Sequence, residues 1–405
     1  MGERITFVGD IMCEPRMLRA AEKENGYDFS GVFEQIRPMF EASDHAVGNL
    51  ETPLAGEAAG YTAGLFSFNA PDAFADAVKD AGILTVTAAN NHCLDRGLDG
   101  LVRTAGVLRE KGLGFAGISD DPDRRNGVCF FSAGECRIAV VSYTYGTNYS
   151  DNRICLKEEE KNAVCLLRPQ PERYFTAEKR RPSPAERIVS RLTASLDYEK
   201  RCRIKKALHL PYNRAHEDNF LDRSTADPFL EKMTEDIRNA RKEADLVVFF
   251  PHTGGQFNEN PGAFTEYVFD RAVEAGCDVI LASHPHVVQK AARKGRVPCF
   301  YSLGNFSMSP NSAYLLHENL PEYGLAVHLY TEEKKLRKCT FSVLKMVEEE
   351  NGILCVWPAD RLADTVSGKK RENLLRDVSE IVSRVLGAQL REETIRAEYD
   401  FEFLS

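Results

Sequence analysis

Apolar residues in this chain come in short runs, and most runs end in a polar cluster. Ile5-Thr6-Phe7-Val8, Ile83-Leu84-Thr85-Val86-Thr87, Ile138-Ala139-Val140-Val141, Leu246-Val247-Val248-Phe249-Phe250 and Val279-Ile280-Leu281 are uncharged and rich in β-branched residues. That is the composition of strands covered on both faces. His45-Ala46-Val47-Gly48-Asn49-Leu50 reads as a further short strand. Residues 71–81 carry Phe74, Val78 and Ala81 at helical spacing, and 101–110, 229–243 and 265–275 repeat the pattern. These are predicted helices with one buried face, and 15–24 and 28–40 supply two more. Strand–helix alternation of this kind predicts an α/β fold. Beyond it, 299–306 reads as one apolar strand ending in Gly304-Asn305. Residues 324–330 and 336–344 read as an antiparallel pair, 353–357 as a third piece and 371–391 as a charged amphipathic helix.

Residues 150–224 break this rhythm. Charged runs (Lys157 to Lys161, Lys179 to Arg181), several prolines and little periodicity before Ile188 mark an insertion or lid, with helix over 185–200. Long excursions over a rigid sheet often carry specificity. Its basic residues read as a solvated face, with contact to an anionic substrate as the alternative. The expected organisation is a domain over residues 1–345 that holds this insertion, with 346–405 packing on the same body as a strand and a helix.

Composition narrows the function class. The chain has 405 residues, 43% of them hydrophobic, and a net charge of −9. That is ample for a large core and lacks the basic surface that broad nucleic-acid binding needs. The N-terminus enters a strand pattern without the regions of a signal peptide, and no apolar run is long enough for a membrane span. Eleven cysteines without a CxxC pair read as reduced thiols, many buried as small hydrophobes. The expectation is a cytoplasmic enzyme with no nucleic-acid partner.

The polar clusters at the strand ends carry the chemistry. Val279-Ile280-Leu281-Ala282-Ser283-His284-Pro285-His286 runs from a buried strand into two imidazoles at i and i+2, around a proline of fixed φ. Imidazole binds Zn, Fe and similar divalent ions well. Alone, an HxH pair decides nothing. Asp10, Glu51, Asn91, His92 and His252 also lie just past predicted strands, and ligand sites in open α/β sheets gather at the carboxyl ends of strands. Each has a plainer reading: Asp10 as the cap of the helix near Pro15, and the loop from Asn90 to Asp95 as a capped helix start. Taken together the set reads as a metal site. His92 and Asp95 add a proton-transfer group and its orienting carboxylate in one loop. His45, His209, His216, His317 and His328 do not fit the strand-end rule and read as structural or surface residues. A cysteine nucleophile at Cys13 or Cys93 is the weaker alternative, because the histidines are better used as ligands.

Gly9-Asp10, Gly48-Asn49-Leu50-Glu51, Ala89-Asn90-Asn91-His92-Cys93-Leu94-Asp95-Arg96-Gly97, Pro251-His252-Thr253-Gly254, Ser283-His284-Pro285-His286-Val287-Val288-Gln289 and Tyr301-Ser302-Leu303-Gly304-Asn305-Phe306 stand in a specific order. That order resembles the CapA family of bacterial capsule-synthesis, poly-γ-glutamate-associated proteins, a branch of the calcineurin-like metallophosphoesterase superfamily. The resemblance covers about residues 4–310. It implies a four-layer α/β/β/α metallophosphatase-like sandwich with two divalent metal ions (Mn, Fe or Zn) at one edge. It further implies Asp10 and His286 on one ion, Asn91, His252 and His284 on the other, and Glu51 as the bridging carboxylate. His92 would protonate the leaving group and Asp95 would orient it. Paired ions about 3.5–4 Å apart activate water and stabilise an anionic transition state. Met12 stands where the wider superfamily has a histidine, and Thr253 where CapA proteins commonly have tryptophan. The expected function is metal-dependent hydrolysis of a phosphoester or of a γ-glutamyl or other amide bond, related to capsule or poly-γ-glutamate metabolism. The substrate would be a small molecule or an anionic polymer. Met12 supports the alternative, a non-catalytic binding or assembly module with a vestigial metal site that binds an anionic polymer or a protein partner.

Overall fold

A computed structural model describes residues 2–64, 66–121, 123–170, 183–210, 215–350, 352–389 and 394–402. Two sheets face each other. The first runs in the order Leu354–Pro358, Lys335–Glu348, Tyr323–Glu332, Glu3–Ile11, His45–Leu50, Ile83–Thr87, Gly114–Ala116. Asn305–Ser307 joins it beside Glu3–Ile11, and Tyr399–Asp400 beside Lys335–Glu348. The second runs Ala291–Lys294, Val297–Phe300, Val279–Leu281, Leu246–Phe249, Cys136–Val141, Val128–Ala133. The strands from Glu3–Ile11 to Gly114–Ala116, and from Cys136–Val141 to Val297–Phe300, are parallel, so within each sheet their carboxyl ends share an edge.

Strand alternation sorts the apolar residues into separate interiors. Ile5, Phe7 and Val47 of the first sheet meet Ile138, Val140, Val248, Phe250, Leu281 and Phe300 of the second. On the outer face of the first sheet, Val8, Ile11 and Val86 meet Leu18, Phe33, Phe74 and Leu108. Those four come from the helices Pro15–Ala21, Ser30–Phe33, Asp72–Asp80 and Gly97–Glu110. On the outer face of the second, Ala139, Val141, Val247 and Ile280 meet Leu230, Ile237, Val268 and Phe269 of Arg223–Glu243 and Ala263–Ala275. This is a four-layer α/β/β/α sandwich, as the resemblance implies. It also explains the strand composition, since a strand covered on both faces has no solvated side to make polar. Each fully buried Val, Leu, Ile or Phe contributes about 1.5–3 kcal/mol.

The structure departs from the sequence reading at several boundaries. Residues 299–306 are not one strand. Val297–Phe300 lies in the second sheet, while Asn305–Ser307 pairs with Glu3–Ile11 in the first, and the chain crosses between them at Gly304, whose φ is +70°. The crossing accounts for Gly9: a Cβ there would sit 1.9 Å from the Gly304 carbonyl oxygen. The predicted helix over 185–200 is two helices, Pro184–Leu192 and Tyr198–Ala207, because Asp197 caps the second by accepting from the Lys200 N–H. The first helix stops at Ala21. Ala359–Thr365 is an additional helix, and the final one is Gly368–Leu386, ended by Gly387 at φ +66°. It buries Leu374, Val378, Ile381 and Val385 in the inter-sheet interior. Part of the 150–224 segment is stitched to the body: Val164 and Leu166 bridge to Ile118 and Thr144, and Leu167 and Arg168 are buried. Lys179 to Arg181, residues 390–391 and the His216 side chain lie outside the described residues. Among the described residues no helix is long and apolar enough to cross a membrane, and all eleven cysteines are free thiols.

Candidate metal centre

Strand ends deliver the polar side chains to one place. Asp10 lies inside Glu3–Ile11, one residue short of its end rather than past it. Glu51 follows His45–Leu50, Asn91 and His92 follow Ile83–Thr87, His252 follows Leu246–Phe249, and His284 and His286 follow Val279–Leu281. All seven are buried. The capping alternatives do not hold. Glu14, not Asp10, accepts from the Arg16 and Met17 N–H groups at the start of the first helix. Gly97–Glu110 begins at Arg96 with no side-chain cap, leaving Asn91 and Asp95 for other partners.

The backbone is strained to bring the last two imidazoles inward. His284 has φ +110° and His286 +57°, a region that costs a non-glycine residue about 1–3 kcal/mol. Neighbouring chain holds it there: Thr253 N–H donates to the Ser283 carbonyl at 2.9 Å, and Phe257 N–H to the Pro285 carbonyl at 2.7 Å. The His284 N–H itself donates to Asp10 Oδ2 at 3.2 Å.

Around these strands the donors converge. Asp10 Oδ2 is 3.4 Å from His286 Nδ1, and Oδ1 accepts from Asn49 Nδ2 at 2.8 Å. His252 Nε2 lies 2.7 Å from Asn91 Oδ1, 3.2 Å from His284 Nδ1 and 3.3 Å from Glu51 Oε1. His286 Nε2 is 3.7 Å from the same Glu51 oxygen. Asp10, Glu51 and His252 make one set whose donor atoms all lie within 4.8 Å of each other, and Glu51, His284 and His286 make another. Glu51 belongs to both, as a bridging position requires. The second set joins His284 to His286, whereas the resemblance assigns them to different ions. The first set likewise joins Asp10 to His252, which the resemblance also assigns to different ions.

Glu51 is fully buried and neither of its oxygens has a hydrogen-bond partner. Burial, then the charge of Asp10, pushes its carboxyl well above the usual range. Burial also raises Asp10, but the hydrogen bond from His286 and the charges of His252 and His286 outweigh it and bring that carboxyl to about 2. His252 is lowered to about 4 by burial, and His284 well below its usual value by burial and by its neighbouring imidazoles. Both therefore stay neutral, as imidazole ligands must. Carboxylate, amide and imidazole donors without thiolate suit Mn, Fe or Zn, and a partnerless buried carboxylate among them fits a divalent cation.

Beside the cluster, His92 Nδ1 lies 2.7 Å from Asp95 Oδ2, which also accepts from the Phe68 N–H at 2.7 Å. Burial opposes the imidazolium, and the Asp95 carboxylate, by charge and by hydrogen bond, more than offsets it, so His92 sits above its usual pKa. The Phe68 ring packs edge-on against His92 at 4.5 Å.

Other residues at the site had no assigned role in the sequence. Asn148, at φ +51°, accepts from Asn91 Nδ2 at 3.2 Å and places its own Nδ2 3.4 Å from the His92 ring nitrogens. The Tyr145 ring is 4.4 Å from that of His284. Both follow strand Cys136–Val141, so the strand-end rule reaches them when applied there. Asn305 Oδ1 is 2.9 Å from His286 Nδ1. The Tyr314 hydroxyl is 3.4 Å from His286 Nε2, on a loop with no sequence signal. Met12 packs among Phe68, Phe257, Val287 and Tyr314. Burial raises the Cys93 thiol to about 12 and Cys13 well above its usual value, which disfavours the thiolate that a nucleophile needs. His45 and His328 are buried and bonded to Thr85 and to Thr6 and Ser342; His317 contacts Glu199, and His209 is exposed.

A family model described as "Bacterial capsule synthesis protein PGA_cap" matches residues 4–309. The chain is 24% identical over 303 residues to the PGA biosynthesis protein CapA of Bacillus subtilis (strain 168), covering 74% of this chain and 62% of that protein. It is 24% identical over 305 residues to the capsule biosynthesis protein CapA of Bacillus anthracis, covering 75% and 59%. It thus spans about 60% of the length of these curated relatives. Among solved structures, a Thermus thermophilus protein titled TT1561 aligns with a TM-score of 0.37 and 12% identity, covering 83% of this chain and 98% of that one.

Proposed function

The chain belongs to the bacterial capsule synthesis protein family PGA_cap, and from that premise we propose that Asp10, Glu51, Asn91, His252, His284 and His286 hold two divalent metal ions in a hydrolase. The observation that carries this reading is Glu51, a buried carboxylate with two partnerless oxygens and imidazole nitrogens at 3.3 and 3.7 Å. When bound, the ions would supply Lewis-acid activation of water and charge stabilisation of an anionic transition state.

The chain's own residues do the rest. Asn49 and Asn305 fix Asp10 and His286 by hydrogen bonds at 2.8 and 2.9 Å. Such outer partners orient ligands and fix their tautomers. Asp95 holds His92 through Nδ1, which leaves Nε2 as the atom that gives its proton to the leaving group. A positioned general acid of this kind contributes about 10²–10⁴ in rate. The Phe68 ring packs edge-on against the imidazole at 4.5 Å and helps to hold its orientation.

The bond cleaved is a phosphoester or an amide, including a γ-glutamyl linkage. The relatives' names, PGA biosynthesis and capsule biosynthesis proteins, support an anionic polymer or one of its precursors as substrate. Purified protein loaded with Mn, Fe or Zn should turn over at least one of a phosphodiester, a phosphomonoester and a γ-glutamyl substrate. His92→Ala and His284→Ala should abolish that turnover; undiminished activity in both would remove the assignment. Met12, buried in an apolar cluster where the superfamily has a ligand, favours a second reading, a non-catalytic module that binds an anionic polymer or a protein partner. Absence of bound metal after purification without chelator would select it.

A further inference from the structure

We propose that Tyr314 is an additional ligand to the ion held by His286. This rests on the metal-centre reading above. Asn305 Oδ1 engages His286 Nδ1 at 2.9 Å, so the lone pair of Nε2 is the one turned into the site. The Tyr314 hydroxyl lies 3.4 Å from that nitrogen and Glu51 Oε1 lies 3.7 Å from it. Donors that share an ion with bonds of about 2.0–2.2 Å lie about 3.0–3.4 Å apart, so the hydroxyl already stands at ligand spacing.

Its orientation is built in. Tyr314 is 2% exposed, and the Phe66, Phe68 and Phe257 rings pack around it at 5.1, 6.2 and 6.1 Å. The Gln256 side-chain amide donates to the same hydroxyl. Packing alone would be met by phenylalanine; the hydroxyl aimed at an imidazole nitrogen would not. Met12 lies in the same apolar cluster, where its thioether, a soft and weak ligand for Mn or Zn, serves as packing. On ligation the phenol gives its proton to solvent as the oxygen–metal bond forms.

Ferric iron reports a phenolate ligand directly, through a charge-transfer band in the visible. Protein stripped with chelator and reloaded with ferric iron should show this band, with iron bound as measured by mass spectrometry. Tyr314→Phe, which keeps the ring packing, should retain iron and lose the band, whereas Tyr330→Phe, whose hydroxyl bonds Glu398 away from the centre, should keep both. Zinc affinity should fall roughly tenfold or more in Tyr314→Phe. A band that survives in Tyr314→Phe, or iron-bound wild type without one, overturns the proposal and leaves the metal centre standing. Wild type that binds no iron and no zinc overturns the metal centre itself.

Discussion

Glu51 shows how one residue ties stability to ligand binding. A buried carboxylate without hydrogen bonds is destabilising, by about 1–3 kcal/mol or more for a charged group. Glu51→Gln is therefore expected to unfold at a higher temperature than wild type when both are metal-free. It should also lose the metal-induced rise in melting temperature, which in wild type reflects a stabilisation of about 2.7 kcal/mol at a hundredfold excess over the dissociation constant. Thermal unfolding with and without Zn or Mn checks both halves. At the proton-transfer pair, Asp95→Asn is expected to retain metal and to lower kcat by about one to two orders of magnitude, less than the ~10²–10⁴ that the acid itself contributes. Steady-state kinetics beside metal analysis tests it. Asp10, Glu51, Asn91, His252, His284 and His286 were legible in the sequence because each ends or follows a strand, and strand ends meet at one edge. Tyr314 was not, because its loop has no periodicity, and its place follows only from the packing of three distant phenylalanines.

Among the elements, the crossing from Val297–Phe300 to Asn305–Ser307 matters most. It carries the chain from one sheet to the other behind the site, and Asn305 arrives against His286 because of it. Gly9 permits the close pass. Gly9→Ala puts a Cβ 1.9 Å from the Gly304 oxygen, so one of the two strands must shift. The expected loss is about 1–3 kcal/mol or more, read by urea unfolding, with metal affinity falling as Asp10 moves. The sequence showed an apolar run over 299–306 but not that it serves two sheets, since periodicity reports burial and not which neighbour does the burying. Likewise 185–200 keeps helical spacing, and only the Asp197 cap marks the break.

At the scale of the whole molecule, two sheets and two helical layers leave some histidines sealed in neutral form. His45, stacked 3.7 Å from the Phe131 ring and hydrogen-bonded to Thr85, is lowered to about 4 by burial. Unfolded, it titrates near 6.5. Between those values the unfolded chain binds a proton that the folded chain does not, so stability is full above pH 6.5 and falls as pH drops toward 4. The slope is about 1.4 kcal/mol per pH unit for that group. His328, driven well below its usual value by burial and then by Arg4, adds in the same direction. His45→Gln should flatten the acid limb of a stability–pH curve measured by chemical denaturation. The α/β class was readable from strand and helix alternation and the layer order only from the family resemblance, whereas the pairing of Asn305–Ser307 with the first sheet was readable from neither.

A metal centre at the shared strand ends requires bound metal in the native protein. Protein purified without chelator and analysed by inductively coupled plasma mass spectrometry should carry Mn, Fe or Zn at near-stoichiometric level, up to two ions per chain, with clear loss in Glu51→Gln and His284→Ala. Wild type free of these metals after attempted loading, or variants that hold as much as wild type, would contradict it.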